Sequence, residues 1–287
     1  MSVAVSPAKR PSPTATSLPD ARTRSGRRTP STGARPFSAR SVIASTLLGT
    51  YPPRLTPRRL VRSCALFGIA ESTARVALSR MLATGELTLD EGRYRLAGQL
   101  LERQTRQADS RRGVARSPWD GSWVVHVVTA DSREATTRSD LRSAMRRLHI
   151  AELREGTWMR PDNLDPGRDL WAAEQVQTQC TTLRGARTNE PDAVAVELFP
   201  LMPWMDEAQR LVTDLRAHQA DLESGDESIL ASAFERNAAV LRHLLSDPLL
   251  PDELLPLDWP GGELRDVFER FDASFSNAWQ RAMRASG

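Results

Sequence analysis

Residues 67–96 read "FGIAESTARVALSRMLATGELTLDEGRYRL", and this stretch decides the fold. Ala74, Ala77, Leu78 and Met81 stand at i, i+3, i+4 and i+7, which puts them on one face of a helix. The spacing predicts a helix over 71–83. Ser72, Thr73, Val76, Ser79 and Arg80 then look outward, with Arg75 on the flank. Gly85 terminates the helix. The runs "ELTL" and "RYRL" alternate and are joined by "DEG", which reads as a β-hairpin.

Working upstream, "TPRRLVRSCALFG" opens with a capping hydroxyl, Thr56, and a first-turn proline, Pro57. Leu60, Cys64 and Phe67 form its apolar face, and Gly68 ends it. Before that, Val42, Ile43, Thr46 and Leu47 recur at helical spacing behind a candidate N-cap, Ser38. Three helices and a hairpin, with a short "FGIA" turn before a third helix that is polar outside, predict a winged helix-turn-helix. In that geometry the third helix enters a DNA major groove. Ser72, Thr73, Arg75, Ser79 and Arg80 are the candidates for phosphates and base edges. Arg93 and Arg95 beside the wing tip, and Arg54, Arg58 and Arg59 at the entrance of the second helix, are candidates for backbone phosphate. The competing reading is a solvated basic face on a helical module that contacts other proteins.

Charge placement favours a polyanion at one end. Net charge is only +3, yet residues 192–287 hold 18 acids against 8 arginines. The first 191 residues carry 31 basic and 18 acidic side chains. Lys9 is the only lysine, a compositional bias that explains Arg in place of Lys but not the asymmetry. Residues 1–36 are rich in Pro, Ser, Thr and Arg without hydrophobic period, and read as a disordered basic tail. They lack the apolar core of a secretory signal, no run is long enough to span a membrane, and two cysteines make no disulfide framework. A cytoplasmic, nucleoid-associated protein is expected.

Downstream, residues 98–117 are polar and basic and read as a helical linker. "WVVHVV" at 123–128 is a β-rich run; a helix with Leu141, Met145 and Leu148 on one face follows, then a short strand near 157–160 broken by Pro161, and a further strand in "QVQTQCTTLRGAR". This order suggests a small α+β domain of ferredoxin-like type over 118–192. From 193 to 287 the pattern is helical, interrupted by the proline-punctuated "SDPLLPDELLPLDWPGGE" and closed by a helix with Val267, Phe268, Phe271, Phe275 and Trp279 on one side. The fold class expected is therefore α+β: a winged helix over 37–97, the linker helix, the ferredoxin-like domain and a helical domain.

Catalytic signals are thin. His126, His149, His218 and His243 are dispersed and form no HxxxH or HExxH pattern. His126 in "VVHVV" reads as a core or edge residue. Cys64 reads as packing, and Cys180 has no partner at metal-ligand spacing. No P-loop, GxGxxG or GxSxG occurs. Asp131 follows a strand and is the residue on which a metal-dependent nuclease would rest, though a turn or cap role is commoner there. Trp119, Trp123, Trp158 and Trp259 lie near polar turns. "TWMRPDN" makes Trp158 and Arg160 weak candidates for stacking on and pairing with a flat anionic ligand, with interdomain packing the equal alternative. No cofactor, metal or catalytic residue is expected.

"SARSVIASTLLGTY", "LVRSCALFGIAESTARVALSRMLATGEL", "PWDGSWVVHVV", "GTWMRPDNL" and above all "DPLLPDELLPLDWPG" resemble the phenylacetic-acid catabolon repressor (PaaX-like) family, from about residue 36 to 279. The resemblance implies a transcriptional repressor with an N-terminal winged helix, a central domain similar to the Cas2 fold and a C-terminal helical domain. It also implies a homodimer on double-stranded operator DNA and release by a small-molecule effector, an acyl-coenzyme A thioester such as phenylacetyl-coenzyme A. The sequence departs from the family pattern at Ala70, where a polar cap is usual and Ser72 is the expected substitute. It departs most over 164–209, so the effector need not be phenylacetyl-coenzyme A.

Overall fold

Ser38 caps the first helix, α1 (Ala39–Leu48): its hydroxyl accepts from the Ser41 amide at 3.1 Å. A computed structural model describes residues 37–112, 118–131, 134–224 and 226–284. The strand β1 (Arg54–Leu55) leads to α2 (Pro57–Ala65), whose first turn is capped by Thr56. Gly68, at φ +69°, turns the chain into α3 (Glu71–Ala83). The strands β2 (Leu87–Asp90) and β3 (Arg93–Leu96) form the hairpin. Its loop is the two residues Glu91 and Gly92, both at positive φ (48° and 70°), the type I′ geometry that matches strand twist. Asp90 is therefore not a loop residue but pairs with Arg93. Val42, Ile43, Leu47, Leu60, Cys64, Ala74, Leu78 and Met81 are buried where the three helices meet. Each large aliphatic side chain so buried contributes about 1.5–3 kcal/mol. β1 was not expected. Two residues are too short to show alternation, and their place is set by pairing of Arg54 with Arg95 and Leu55 with Tyr94.

The expected linker is a packed strut, α4 (Gly98–Arg112). Gln104, Gln107 and Ser110 are buried although polar. The Gln104 amide donates to the carbonyls of Leu48 at 3.0 Å and Thr50 at 3.3 Å, satisfying the open end of α1. Arg111 bonds Asp272 at 2.6 Å and lies over the Phe268 ring at 5.0 Å. Residues 113–117 of the expected linker, and the expected disordered tail, lie outside the described residues.

The central part runs β4 (Trp123–Val128), α5 (Ala135–Arg147), β5 (Ala151–Arg154), β6 (Thr157–Pro161), α6 (Leu170–Gln179) and β7 (Cys180–Ala186). The four strands pair antiparallel in the order β5-β6-β4-β7, the ferredoxin-like arrangement. One face packs against α5 and α6 through Leu141, Met145, Leu148, Trp158 and Val176. The other face, carrying Trp123 and Met159, is covered by α7 (Pro191–Leu198) and by Leu250 and Leu254. α7 thus belongs to the sheet layer, and the expected boundary at 192/193 cuts through a helix.

Three longer helices complete the chain: α8 (Leu201–Glu223), α9 (Leu230–Leu244) and α10 (Gly261–Arg284). Leu211, Leu215, Val240, Leu264, Val267, Phe268 and Phe271 form their core. Phe275 and Trp279 lie farther along the same side of α10, where both rings meet Phe234. Phe234 also stands edge-on to Phe67 (5.0 Å) and Phe37 (5.8 Å), so one aromatic cluster joins the winged helix to α9 and α10. Among the described residues no helix is long and apolar enough to cross a membrane.

Candidate nucleic-acid interface

The inward side of α3 is closed, with Ala74, Leu78 and Met81 in the three-helix core. The outward side is open: Ser72, Thr73, Arg75, Val76, Ser79 and Arg80 are all exposed. No later element of the described chain covers them. Ala70 is the N-cap residue and makes no side-chain cap bond; Ser72 does not replace it, and Glu71 supplies a negative charge to the first turn instead. Glu71 also holds Arg75 in an i,i+4 pair at 2.6 Å, with the Arg75 side chain still 64% exposed. Such a pair contributes little to stability and is readily exchanged for another anion.

Around this helix, Arg58, Arg59, Arg93 and Arg95 are exposed and Arg54 is half-buried. Register places Arg54 directly opposite Arg95 on neighbouring strands, so the wing sheet brings two of the expected cations together. Arg95 is paired with Asp90 at 3.1 Å.

Trp158 and Arg160, singled out as ligand candidates, have structural surroundings. Trp158 sits in the core beneath α5 and α6. Arg160 is only 3% exposed, and its guanidinium donates five hydrogen bonds. The acceptors are the carbonyls of Pro161 (3.1 Å), Leu148 (3.1 Å), His149 (2.8 Å) and Leu249 (3.1 Å), and Asn163 Oδ1 (2.9 Å). Arg160 borders a cavity of about 370 Å³ with Val124, His126, Ile150 and Val176, but every donor it has is already committed. Burial pulls its guanidinium down to about 9, with Arg168 adding and Asp162 opposing.

Sequence reasoning missed the partner of Arg160. The loop after α9 bends back so that Leu249, at φ +52°, presents its carbonyl to both Arg160 and Asn163. The Leu249 amide donates to Asp247 at 2.9 Å; Asp247 accepts from Arg265 at 2.7 Å; Arg265 donates to the Ser110 carbonyl on α4 at 3.0 Å. The proline-spaced "DPLLPDELLPLDWPG" string is therefore a buried joint between sheet, linker helix and C-terminal helices. Its prolines and leucines at a chain reversal were the available signal.

His126 is buried with Nδ1 2.9 Å from Thr182 Oγ1, and burial, then Arg184, pulls its pKa down to about 4. His149 is pulled to about 3 by burial and by Arg160 and Arg168. The unfolded chain, with ordinary histidines near 6.5, therefore takes up protons first. Stability is full above pH 6.5 and falls as the pH drops from 6.5 toward 4, by up to about 1.4 kcal/mol per pH unit for His126. Urea midpoints across this window should fall steadily, and His126→Gln should flatten the slope; an unchanged slope would remove His126 from the account. Cys64 is likewise buried, which pushes its thiol up to about 11. Asp131 is exposed, and among the described residues no three His, Cys, Asp or Glu side chains come together as a metal site would need.

A winged helix, a ferredoxin-like sheet and a helical C-terminal part joined by a buried helix define a three-part regulator architecture. Family models agree over most of the length: "PaaX-like protein" over residues 38–100, "PaaX protein central Cas2-like domain" over 116–196 and "PaaX-like protein C-terminal domain" over 203–285. The chain belongs to the PaaX-like family, whose members are regulators of phenylacetic acid catabolism. It is also similar to a solved structure, the uncharacterized protein Rv0674 from Mycobacterium tuberculosis, at 39% identity and a TM-score of 0.63, covering 85% of this chain and 98% of that one. No curated protein matches the chain.

Proposed function

We propose that the protein is a homodimeric transcriptional repressor that grips double-stranded operator DNA through α3 and the wing and is released by an acyl-coenzyme A-type effector such as phenylacetyl-coenzyme A. The observation that carries this reading is the uncovered hydroxyl- and guanidinium-bearing face of α3. Ser72, Thr73, Arg75, Ser79 and Arg80 would meet the major groove, with Arg93, Arg95, Arg54, Arg58 and Arg59 holding phosphates on either side. The two edge strands of the central sheet, β5 and β7, leave Leu153 and Leu183 exposed, which supports contact with a second copy. The domain limits that fit this scheme are 37–97, 98–117, a central domain from 118 extended through α7, and the remaining helices.

An effector of that chemistry is supported by a groove where α1 and α4 face α9 and α10. Leu48, Leu100 and Phe234 line it beside Arg40, Arg103 and Arg242. Burial lowers the Arg103 pKa, and Arg242 and Arg40 lower it further, so the groove holds mutually repelling cations beside apolar surface. Arg40 is answered by Glu86 at 2.6 Å. An anion with an apolar tail bound here would favour one spacing of the two recognition helices and shift the population away from operator.

The test is retardation of the protein's own promoter fragment at increasing salt. Sequence-dependent retardation that weakens steeply between about 50 and 200 mM salt is expected. No retardation, or retardation indifferent to salt, refutes the reading.

A further inference from the structure

The linker helix meets the central domain at a second cationic site, distinct from the effector groove. A cavity of about 280 Å³ opens between α4, α5 and the turn before α6. Arg106 and Ser110 come to it from α4, Ser143, Arg146 and Arg147 from α5, and Arg168 from the turn. Among the described residues no carboxylate lines it. Three acids stand nearby: Asp169 accepts from Arg147 at 2.7 and 3.0 Å and caps α6, Glu102 accepts from Arg147 at 3.1 Å, and Asp109 acts on Arg168 through its charge.

Two guanidinium groups at the site have donors that no hydrogen-bond acceptor among the described residues reaches. Arg106 Nη1 stands at ion-pair distance from Glu102 (3.7 Å) and Asp169 (4.0 Å) but is buried without a hydrogen-bond partner among the described residues. Arg168 Nη1 is likewise buried without a hydrogen-bond partner among the described residues. Two buried guanidinium donors without hydrogen-bond acceptors are costly unless another acceptor arrives. On the open side, Arg146 is exposed and, among the described residues, bonds only the Ser143 hydroxyl, at 3.1 Å. Burial lowers the pKa values of Arg106 and Arg168, and Arg147 lowers Arg106 further, while Asp169 opposes both shifts, joined by Glu102 at Arg106 and by Asp109 at Arg168.

We propose that this cavity is an oxyanion site that takes a phosphate or pyrophosphate group. Planar guanidinium forks match phosphate oxygens in pairs, and the Ser110 hydroxyl is placed to supply a further donor. The bound group would bridge α4 and α5, tying the helix that carries the winged helix to the central sheet. Binding does not depend on the repressor reading; only its effect on DNA does. The phosphoryl group has two possible sources, a free inorganic anion or the 3′-phosphorylated nucleotide head of a coenzyme A thioester.

Calorimetric titration of the full chain, without DNA and at constant ionic strength set with chloride, tests the site. The probes are inorganic pyrophosphate and 3′,5′-adenosine bisphosphate. Saturable binding with one site per chain is expected, weakened at least tenfold in Arg106→Gln and in Arg146→Gln. Arg146 holds no carboxylate among the described residues, so its variant keeps the fold if Arg106→Gln does not. Equal affinity for the two probes assigns the site to the oxyanion alone; preference for the bisphosphate assigns it to a nucleotide head. No saturable heat with either probe, or unchanged affinity in both variants, overturns the proposal. Intact pyrophosphate binding in a protein that fails to retard DNA would sink the repressor reading and leave this one standing.

Discussion

Arg160→Leu should lower folding stability by about 3–5 kcal/mol. The side chain is almost fully buried, and its removal leaves the carbonyls of Leu148 and His149 without the donor they now have, while Pro161 keeps the Asn163 amide at 2.9 Å. An unsatisfied buried acceptor costs about 1–3 kcal/mol. Relief of burying a guanidinium offsets part of that sum, and Asn163 still donates to Leu249 at 3.1 Å. Arg160→Lys retains the charge and at most three of the five hydrogen bonds, so it should fall between the two. Urea unfolding of the three proteins reads the order directly. A loss under about 1 kcal/mol for the leucine variant would mean that water replaces the guanidinium, and the joint described above would lose its central member.

The second large effect falls on α3. Arg75→Ala and Arg80→Ala should each weaken operator binding by about 1–3 kcal/mol where the guanidinium reads a base edge, and the double variant by about the sum. Arg80 has no ion-pair partner among the described residues, whereas Arg75 must first release Glu71. Arg80→Ala should therefore be the more damaging. Arg93→Ala makes the internal control: a phosphate contact weakens all sequences alike and lowers the salt slope by about one. Unchanged affinity in the double variant, with the thermal transition intact, would show that another surface meets the duplex.

What was legible in the sequence and what was not divides by range. α3 and the wing were readable because their spacing, their glycines and their capping residues are local. α10 was readable because Val267, Phe268 and Phe271 keep helical period to the core. β1 was invisible because its two residues acquire strand character only from β3, some forty positions later. β5 was overlooked because "AELR" carries one apolar residue in its exposed half. The strut character of α4 was misread as polarity. Its glutamines are buried because they finish α1, which no composition count reveals. The site was half legible. Each cation near α3 could be named from its position, but the phosphate cavity joins residues of three separated segments. Arg160 attracted notice for the right oddity, an arginine among tryptophan and proline, though its acceptors are its neighbours' carbonyls and one 89 residues away.

The loop at Leu249 has a consequence for how motion is reported within the molecule. Its carbonyl is gripped from the sheet and its amide from Asp247, which in turn steadies Arg265 against the helix that leads to the winged helix. A reorientation of that helix pulls on one end of a chain of four hydrogen bonds whose other end is a strand. The exchange rate of the single Leu249 amide proton is thus a built-in gauge. It should stay slow while the DNA-reading module is seated and quicken when the module swings, long before any helix melts.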